Sequence, residues 1–596
     1  MLMAACGSSA DDASESTTEQ TAVPTSTSNP EPTVAPDPEP TVAPEPTVAL
    51  DPTATPEPTE EPSTPTAVPT PAVEAPLWEP CGDGDCAEVA VPVDYGDPTG
   101  PTIRLQIAKV AARRPDLRIG AILVNFGGPG ASATKYLNAY HGTLPAEVLD
   151  RFDIVVWDPR GTEGQTGLDC PESPLAGELY DDDDGFADDV ALEDERRIDY
   201  AACTDVEGLL DNLGSVPTVH DMDLIRRALG EDKLNYLGYS YGTQLGWMYA
   251  TLYGQNLRSI VLDAPVEPGM HSTEGWLRQM ENFDEQIARL DALCDDFATR
   301  CPVADEGLLA VLERLGDELA EAPVIGNDGE PLTDADLVSA SLQTLYSQPT
   351  RIADFFSRGL ARLDAGQPDL LVQLTDSDGF DGYNAITCAD GEGIYSLTEL
   401  EEHIVDRYER GGTFESYPDV VLCDEWPARA IPLPDIDTSS APAALVIANT
   451  EDPATPYVGA LELVAALGDA ALVSVQSGGH GAVAGNRCVD ELFAAYVIDL
   501  TLPPQGMRCY EDGSRLGIGT ALGGAGLEVV RIDAGSYGEA AGLAVGDQIL
   551  SADGVDLRSG GDIPFFELGT DVPFVVVRDG EEIELTLTTL RAPWTS

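Results

Sequence analysis

Leu237-Gly238-Tyr239-Ser240-Tyr241-Gly242 carries a G-x-S-x-G pentapeptide between an apolar run, Leu234 to Tyr239, and a helical pattern, Thr243 to Leu252. The two glycines permit a cramped strand-to-helix turn that projects Ser240 over a helix N-terminus, the setting of a nucleophile. A serine hydroxyl attacks a carbonyl only with a base to take its proton. His480 is the natural base, in Ser477-Gly478-Gly479-His480-Gly481 just past the run Ala471 to Val475, where glycines leave the imidazole free to reach a site. His141, His220, His271 and His403 stand in patterns that read as loop, cap or helix surface. An orienting carboxylate is expected between serine and histidine in chain order, at a strand end. Asp452 in Asn449-Thr450-Glu451-Asp452-Pro453 meets that requirement, with Glu451 as substitute. The developing oxyanion needs two backbone N–H donors. Tyr241 supplies one; Asn125-Phe126-Gly127-Gly128-Pro129-Gly130 supplies the other, with Gly128 the first candidate and Gly127 the second.

These residues need a scaffold that delivers them to one edge. Short runs at Leu105 to Val110, Ala121 to Phe126, Asp153 to Trp157, Leu234 to Tyr239, Ser259 to Asp263, Ala443 to Ala448 and Ala471 to Val475 alternate with amphipathic stretches. Runs that are apolar at consecutive positions predict strands covered on both faces, hence an α/β fold with a mostly parallel, doubly wound sheet. Each of Ser240, Asp452 and His480 then follows its own strand. The distance from Ser240 to Asp452 exceeds what a minimal sheet needs. The segment 266–430, with helical patterns at Glu274 to Phe297 and Glu306 to Ala320, is therefore read as a mainly helical cap inserted between core halves at 77–265 and 431–510.

Gly127-Gly128-Pro129-Gly130, Trp157-Asp158-Pro159-Arg160-Gly161, Asn235 to Thr243, Asp452 and Gly479-His480-Gly481 together resemble the prolyl aminopeptidase and tripeptidyl aminopeptidase branch of the α/β-hydrolases, in particular its secreted actinobacterial members. The resemblance covers about residues 77–510. It implies cleavage of one residue or a tripeptide from a free peptide N-terminus through an acyl-enzyme, with Ser240, Asp452 and His480 as nucleophile, acid and base. Phe126 replaces the histidine that usually precedes the glycines in prolyl aminopeptidases, which argues against single-proline specificity. The resemblance also implies a cap carboxylate for the substrate ammonium, and Glu267 is the candidate. An esterase or small-molecule hydrolase with the same triad is the alternative, since a fold does not fix its substrate; a non-catalytic scaffold is a third class.

Beyond Cys509 the pattern changes. Arg515-Leu516-Gly517-Ile518-Gly519, Gly526 to Val530, Gly538 to Leu550 and Asp553-Gly554, with strands at Pro573 to Arg578 and Ile583 to Leu587, resemble a bacterial PDZ domain over 512–592. Such domains add a peptide strand to a sheet edge and hold its terminal carboxylate in a loop, here Leu516, Gly517, Ile518 and Gly519, so a peptide or protein C-terminus is the expected partner.

The first 80 residues hold 14 acids, no base and 17 of the 46 prolines, in loose repeats such as Glu39-Pro40-Thr41-Val42-Ala43-Pro44. Residues 11–76 cannot build a core and read as an extended linker with a reach of about 200 Å at about 3.1 Å per residue. Residues 1–10, with Met1 to Ala5 leading into Cys6-Gly7-Ser8, resemble the end of a bacterial lipoprotein signal in which Cys6 is lipidated; the basic and apolar parts of that signal are expected ahead of Met1. The ten remaining cysteines, an even set, predict disulfides in an oxidising, extracytoplasmic compartment, and sequence proximity suggests Cys81–Cys86, Cys170–Cys203, Cys294–Cys301, Cys388–Cys423 and Cys488–Cys509. With no CxxC and five histidines, no metal or cofactor is expected, and Asp181-Asp182-Asp183-Asp184 lacks calcium-loop spacing. The formal charge of −74 and only three lysines (Lys109, Lys135, Lys233) exclude nucleic acid as a partner and leave a lipid anchor as the only membrane contact. The tail accounts for −14 of that charge. The rest lies on domains with normal apolar content, as suits a salty exterior.

Overall fold

A computed structural model describes residues 73–588 apart from 163–178, 180–185, 197–207, 271, 297–300, 327–330, 348, 373–379, 415–416, 418–419, 511–517, 523–525, 533–536, 553 and 559–570. Cys6, the 1–10 segment, most of the 11–76 linker, Cys170, Cys203, the run Asp181 to Asp184, Leu516 and Gly517 lie outside the described residues.

The first seven strands are β1 (Glu79–Cys81), β2 (Gly84–Pro92), β3 (Thr102–Val110), β4 (Gly120–Asn125), β5 (Phe152–Trp157), β6 (Leu234–Tyr239) and β7 (Leu257–Asp263). After a two-stranded ribbon, β8 (Val324–Ile325) and β9 (Pro331–Leu332), come β10 (Ala444–Glu451), β11 (Ala470–Gly478) and β12 (Met507–Tyr510). The C-terminal strands are β13 (Ile518–Leu522), β14 (Leu527–Ile532), β15 (Gln548–Ala552), β16 (Val555–Asp556), β17 (Asp571–Arg578) and β18 (Glu581–Thr588). The helices are α1 (Leu137–Tyr140), α2 (Ala146–Leu149), α3 (Phe186–Arg196), α4 (Ser215–Ala228), α5 (Tyr241–Tyr253), α6 (Thr273–Asp296), α7 (Leu308–Glu321) and α8 (Asp334–Leu345). They continue with α9 (Pro349–Asp364), α10 (Asp369–Val372), α11 (Phe380–Asp390), α12 (Leu397–Arg410), α13 (Tyr457–Leu467), α14 (Arg487–Asp499) and α15 (Tyr537–Ala540).

Strands β5-β4-β6-β7-β10-β11-β12 pair in parallel, and β1-β2-β3 extend the sheet antiparallel beyond β5. The period of two along a strand explains why consecutive residues are apolar. In β4, Ala121 and Leu123 join a core shared with α4, α5 and α13, while Ile122 and Val124 join the opposite core, shared with α2 and α14. All six β4 residues are buried as a result.

Helices α6 to α12 and the β8–β9 ribbon lie between β7 and β10 and enclose an apolar core of their own, including Phe283, Ile287, Leu312, Leu360 and Phe356. A smaller cluster under α11 and α12 contains the Cys388–Cys423 disulfide. Cys81–Cys86, Cys294–Cys301 and Cys488–Cys509 are also bonded, as the sequence predicts. No helix among the described residues is long and apolar enough to cross a membrane.

The C-terminal strands wrap a further core of Ile518, Val529, Ile549, Leu557, Phe574 and Val576. Asp547 accepts both arms of Arg578 at 2.7 Å and the Ala544 N–H at 2.8 Å, which fixes the Gly542 to Asp547 turn. Ile518 and Gly519, expected in a carboxylate loop, open strand β13. That strand pairs with β14 on one side and, through Arg508 opposite Thr520, with β12 on the other, so the two sheets run on as one.

Candidate active site

Ser240 sits between β6 and α5 with φ 53° and ψ −129°, a sparsely populated conformation for a residue with a Cβ. The surrounding structure enforces it. Ser240 N–H donates to the Asp263 carbonyl at 3.1 Å, and the Ser240 carbonyl accepts the Thr243 hydroxyl at 2.6 Å. The Thr243 hydroxyl oxygen accepts the Val266 N–H in turn, tying the elbow to the chain leaving β7. The flanking glycines are needed for space. A Cβ on Gly238 would stand 2.3 Å from the Gly242 carbonyl oxygen, and one on Gly242 would stand 2.8 Å from the Asn125 carbonyl oxygen.

The two predicted partners meet. Asp452, 1% exposed at the end of β10, accepts His480 Nδ1–H at Oδ1 over 2.8 Å. The same oxygen takes the Ala454 and Thr455 N–H groups at 3.1 and 2.9 Å, which fix the carboxylate. Glu451, the substitute candidate, is paired with Arg289 instead. With Nδ1 held, the buried Nε2 of His480 has no hydrogen-bond partner among the described residues and stays available to a hydroxyl. Serine and histidine share one sheet edge: a Cβ on Gly481 would lie 3.5 Å from Tyr239 Cδ1.

The His480 loop is pinned by groups that the sequence did not reveal. Asp263, at the end of β7, accepts the Ala482 and Val483 N–H groups at 3.0 and 2.7 Å. Asn449 donates to the Gly479 carbonyl at 2.7 Å, and His480 N–H donates to the Tyr346 carbonyl at 2.9 Å, with the Tyr346 ring edge-on to the imidazole at 5.0 Å. Burial by itself lowers the His480 pKa. The charge and hydrogen bond of Asp452, with the charge of Asp263 behind it, outweigh burial and raise it above the ordinary histidine value. Burial pushes Asp263 up to about 6 against the opposing pull of the two N–H donors.

At the glycine loop, Gly127 N–H is taken by Asn125 Oδ1 at 2.9 Å, whereas Gly128 is exposed and its N–H has no hydrogen-bond partner among the described residues. Asp158 of the Trp157 to Gly161 motif holds the following segment through Ser132 Oγ, Thr134 N and Thr134 Oγ1. Arg160, fully buried, forms a double bond-pair with Asp221 at 2.7 Å and donates to three carbonyls, so this motif is structural.

Glu267, the candidate for the substrate ammonium, is 2% exposed; its Oε1 accepts Arg278 at 2.5 Å and its Oε2 is buried with no partner among the described residues. Two expectations about histidines are corrected. His220 is not a cap or surface residue. It lies within α4, bonded to the Tyr253 hydroxyl at 2.7 Å and packed on Tyr95. His403 is buried in α12.

Comparisons with known proteins agree with this geometry. The family described as alpha/beta hydrolase fold matches residues 120–298, that described as TAP-like protein matches 412–509, and that described as PDZ domain matches 528–565. The serine protease Hip1 of Mycobacterium tuberculosis is 31% identical over 486 residues, covering 75% of this chain and 90% of that protein. The chain belongs to the tripeptidyl aminopeptidase-like α/β-hydrolases. Carboxylesterase B of the same organism is 33% identical, over 71% of this chain and 86% of its own length. The tripeptidyl aminopeptidase of Streptomyces lividans is 28% identical, over 71% and 84%. This tripeptidyl aminopeptidase-like chain is a serine hydrolase of a peptidase family, and it carries a C-terminal PDZ domain.

Proposed function

We propose that this chain is an extracytoplasmic aminopeptidase that releases N-terminal tripeptides or single residues, with Ser240, Asp452 and His480 as its triad. The observation that carries the reading is the Asp452–His480 bond, which leaves Nε2 buried and unpartnered at the edge where the serine elbow projects. Ser240 Oγ attacks the scissile carbonyl as His480 Nε2 takes its proton. The resulting oxyanion is held by the N–H groups of Tyr241 and Gly128. Collapse expels the amine, which receives the proton from His480; water, deprotonated by the same nitrogen, then releases the acyl group. No cofactor enters this sequence.

The four disulfides support an oxidising compartment, and lipidation of Cys6 with the acidic linker would tether the enzyme to the envelope. The PDZ domain would receive a peptide or protein C-terminus. At Thr520 that guest competes with β12 for the β13 edge.

Turnover of free and N-blocked chromogenic tripeptides tests the reading. Cleavage of free tripeptides with little cleavage of blocked ones is the expected result, and equal rates overturn the aminopeptidase assignment. The similarity to carboxylesterase B favours a second reading, an esterase. Activity confined to esters would select it.

A further inference from the structure

A further carboxylic acid is tied to the residue that follows the elbow serine. Asp390, the last residue of α11 in the helical insertion, is 3% exposed. Its Oδ1 accepts the Ser215 N–H at 2.6 Å, at the start of α4, and its Oδ2 bonds the Ser215 hydroxyl at 2.5 Å. That hydroxyl is 2.6 Å from the phenol oxygen of Tyr241, the residue after the nucleophile, and receives Gln244 Nε2–H at 3.3 Å. The fit is tight: a Cβ on Gly214 would lie 2.5 Å from Asp390 Oδ1. A hydroxyl has one proton and two acceptor sites. With Asp390 ionised, Ser215 donates to it and accepts from Tyr241 and Gln244, and every group is satisfied. With Asp390 neutral, its proton goes to Ser215, which then donates to Tyr241, and the last bond reverses.

We propose that Asp390 is a positioning residue for the oxyanion donor: through the Ser215 hydroxyl it anchors Tyr241, so that the helical insertion fixes the N–H facing the substrate oxygen. This rests on the reading of Tyr241 given above. Burial pushes Asp390 up to about 8, opposed by its two Ser215 bonds and assisted by Glu392; Tyr241 and Tyr395 are the other titratable groups coupled to it. The reversal of the Ser215–Tyr241 bond therefore falls in the working range of a hydrolase.

The test uses the full chain and the free tripeptide substrate. Losing one oxyanion donor costs about 10²–10³ in kcat, so a displaced donor in Asp390→Ala is expected to lower kcat about tenfold or more with KM within about twofold. Asp390→Asn keeps both an acceptor and a donor for Ser215 and is expected to restore most of the rate while abolishing a bend in kcat near pH 8. Asp390→Ala combined with Tyr241→Phe should be no worse than the poorer single variant, because both act through one hydroxyl. Amide exchange of the Tyr239 to Leu245 segment, read by mass spectrometry, should quicken in Asp390→Ala and not in Asp390→Asn, whether or not substrate is turned over. Unchanged kcat and exchange in Asp390→Ala, a loss that Asp390→Asn fails to restore, or additive effects in the double variant would overturn the proposal. Should Asp390→Ala not fold, exchange and kcat in Tyr241→Phe and Asp390→Asn decide. A wild-type enzyme indistinguishable from Ser240→Ala would instead sink the hydrolase reading, leaving the exchange result to judge Asp390 alone.

Discussion

Replacing Asp452 by Asn isolates the charge of the triad acid from its hydrogen bond. In the wild type a single oxygen, Oδ1, accepts His480 Nδ1–H and the N–H groups of Ala454 and Thr455, while Oδ2 has no partner among the described residues. An asparagine amide nitrogen cannot occupy the Oδ1 position, because it would face two backbone donors. The variant therefore keeps its carbonyl oxygen there and still accepts from Nδ1–H, preserving the tautomer and losing only the negative charge. A unit pair about 4 Å apart is worth about 4 kcal/mol at an effective dielectric of about 20. That stabilisation applies to the imidazolium formed as Ser240 attacks, so kcat/KM should fall by about 10³ at about 1.4 kcal/mol per tenfold. The same loss lowers the His480 pKa, so the acid limb of the pH profile should move to lower pH even as the plateau drops. The assay is steady-state turnover of a free tripeptide anilide from pH 5 to 9, with serine-directed phosphonate labelling to confirm an intact site. A variant within tenfold of wild type, or one whose acid limb stays in place, would refute the reasoning.

Gly127→Ala places a Cβ 2.8 Å from that of Ser240 at a residue with φ +99°, so a kcat loss beyond tenfold and a lower Tm are expected from kinetics and thermal melts. Asp263→Ala removes the acceptor of the Ala482 and Val483 N–H groups and a negative charge behind His480; kcat should fall, and the pH profile should show the acid limb displaced downward. Asp390 has a folded pKa of about 8 against an unfolded value of about 3.9, so the fold takes up a proton. Its contribution to stability is fully present below about pH 4 and is lost as pH rises toward about 8. The Tm advantage of Asp390→Asn over wild type should therefore grow from pH 5 to pH 8, and a constant difference would show that the buried acid is not neutral in the fold.

The proposed triad was legible because each member is announced locally, by a glycine elbow or a strand-end loop, and chain order supplied the rest. Strands β4 to β7 were legible for a similar reason: burial on both faces writes itself into consecutive apolar residues. Asp263 and Asp390 were not, because their partners lie 219 and 175 residues away and nothing around either acid marks it among 105. Histidine placement failed at His220 for lack of the same information: Tyr95 and Tyr253, which enclose it, belong to segments on either side of α4. For Glu267, on the chain leaving β7, nothing in the sequence marks Arg278 of α6 as the partner of one of its oxygens.

The junction of β12 with β13 bears on how these molecules treat one another. An open parallel sheet ends in a row of unpaired donors and acceptors, a template on which a second copy can add. Here β13 meets that row at Thr520, opposite Arg508, and the ends of the lengthened sheet are poor templates. One is β1, three residues closed back on β2 by Cys81–Cys86; the other is β18, which presents Glu581, Glu582 and Glu584 in its first four positions. Salt screens repulsion between whole molecules, so a protein that relied on a charge of −74 alone to stay dispersed would be exposed in brine. Among the described residues neither end of the sheet offers an inviting border, and that protection does not weaken when the screening is complete.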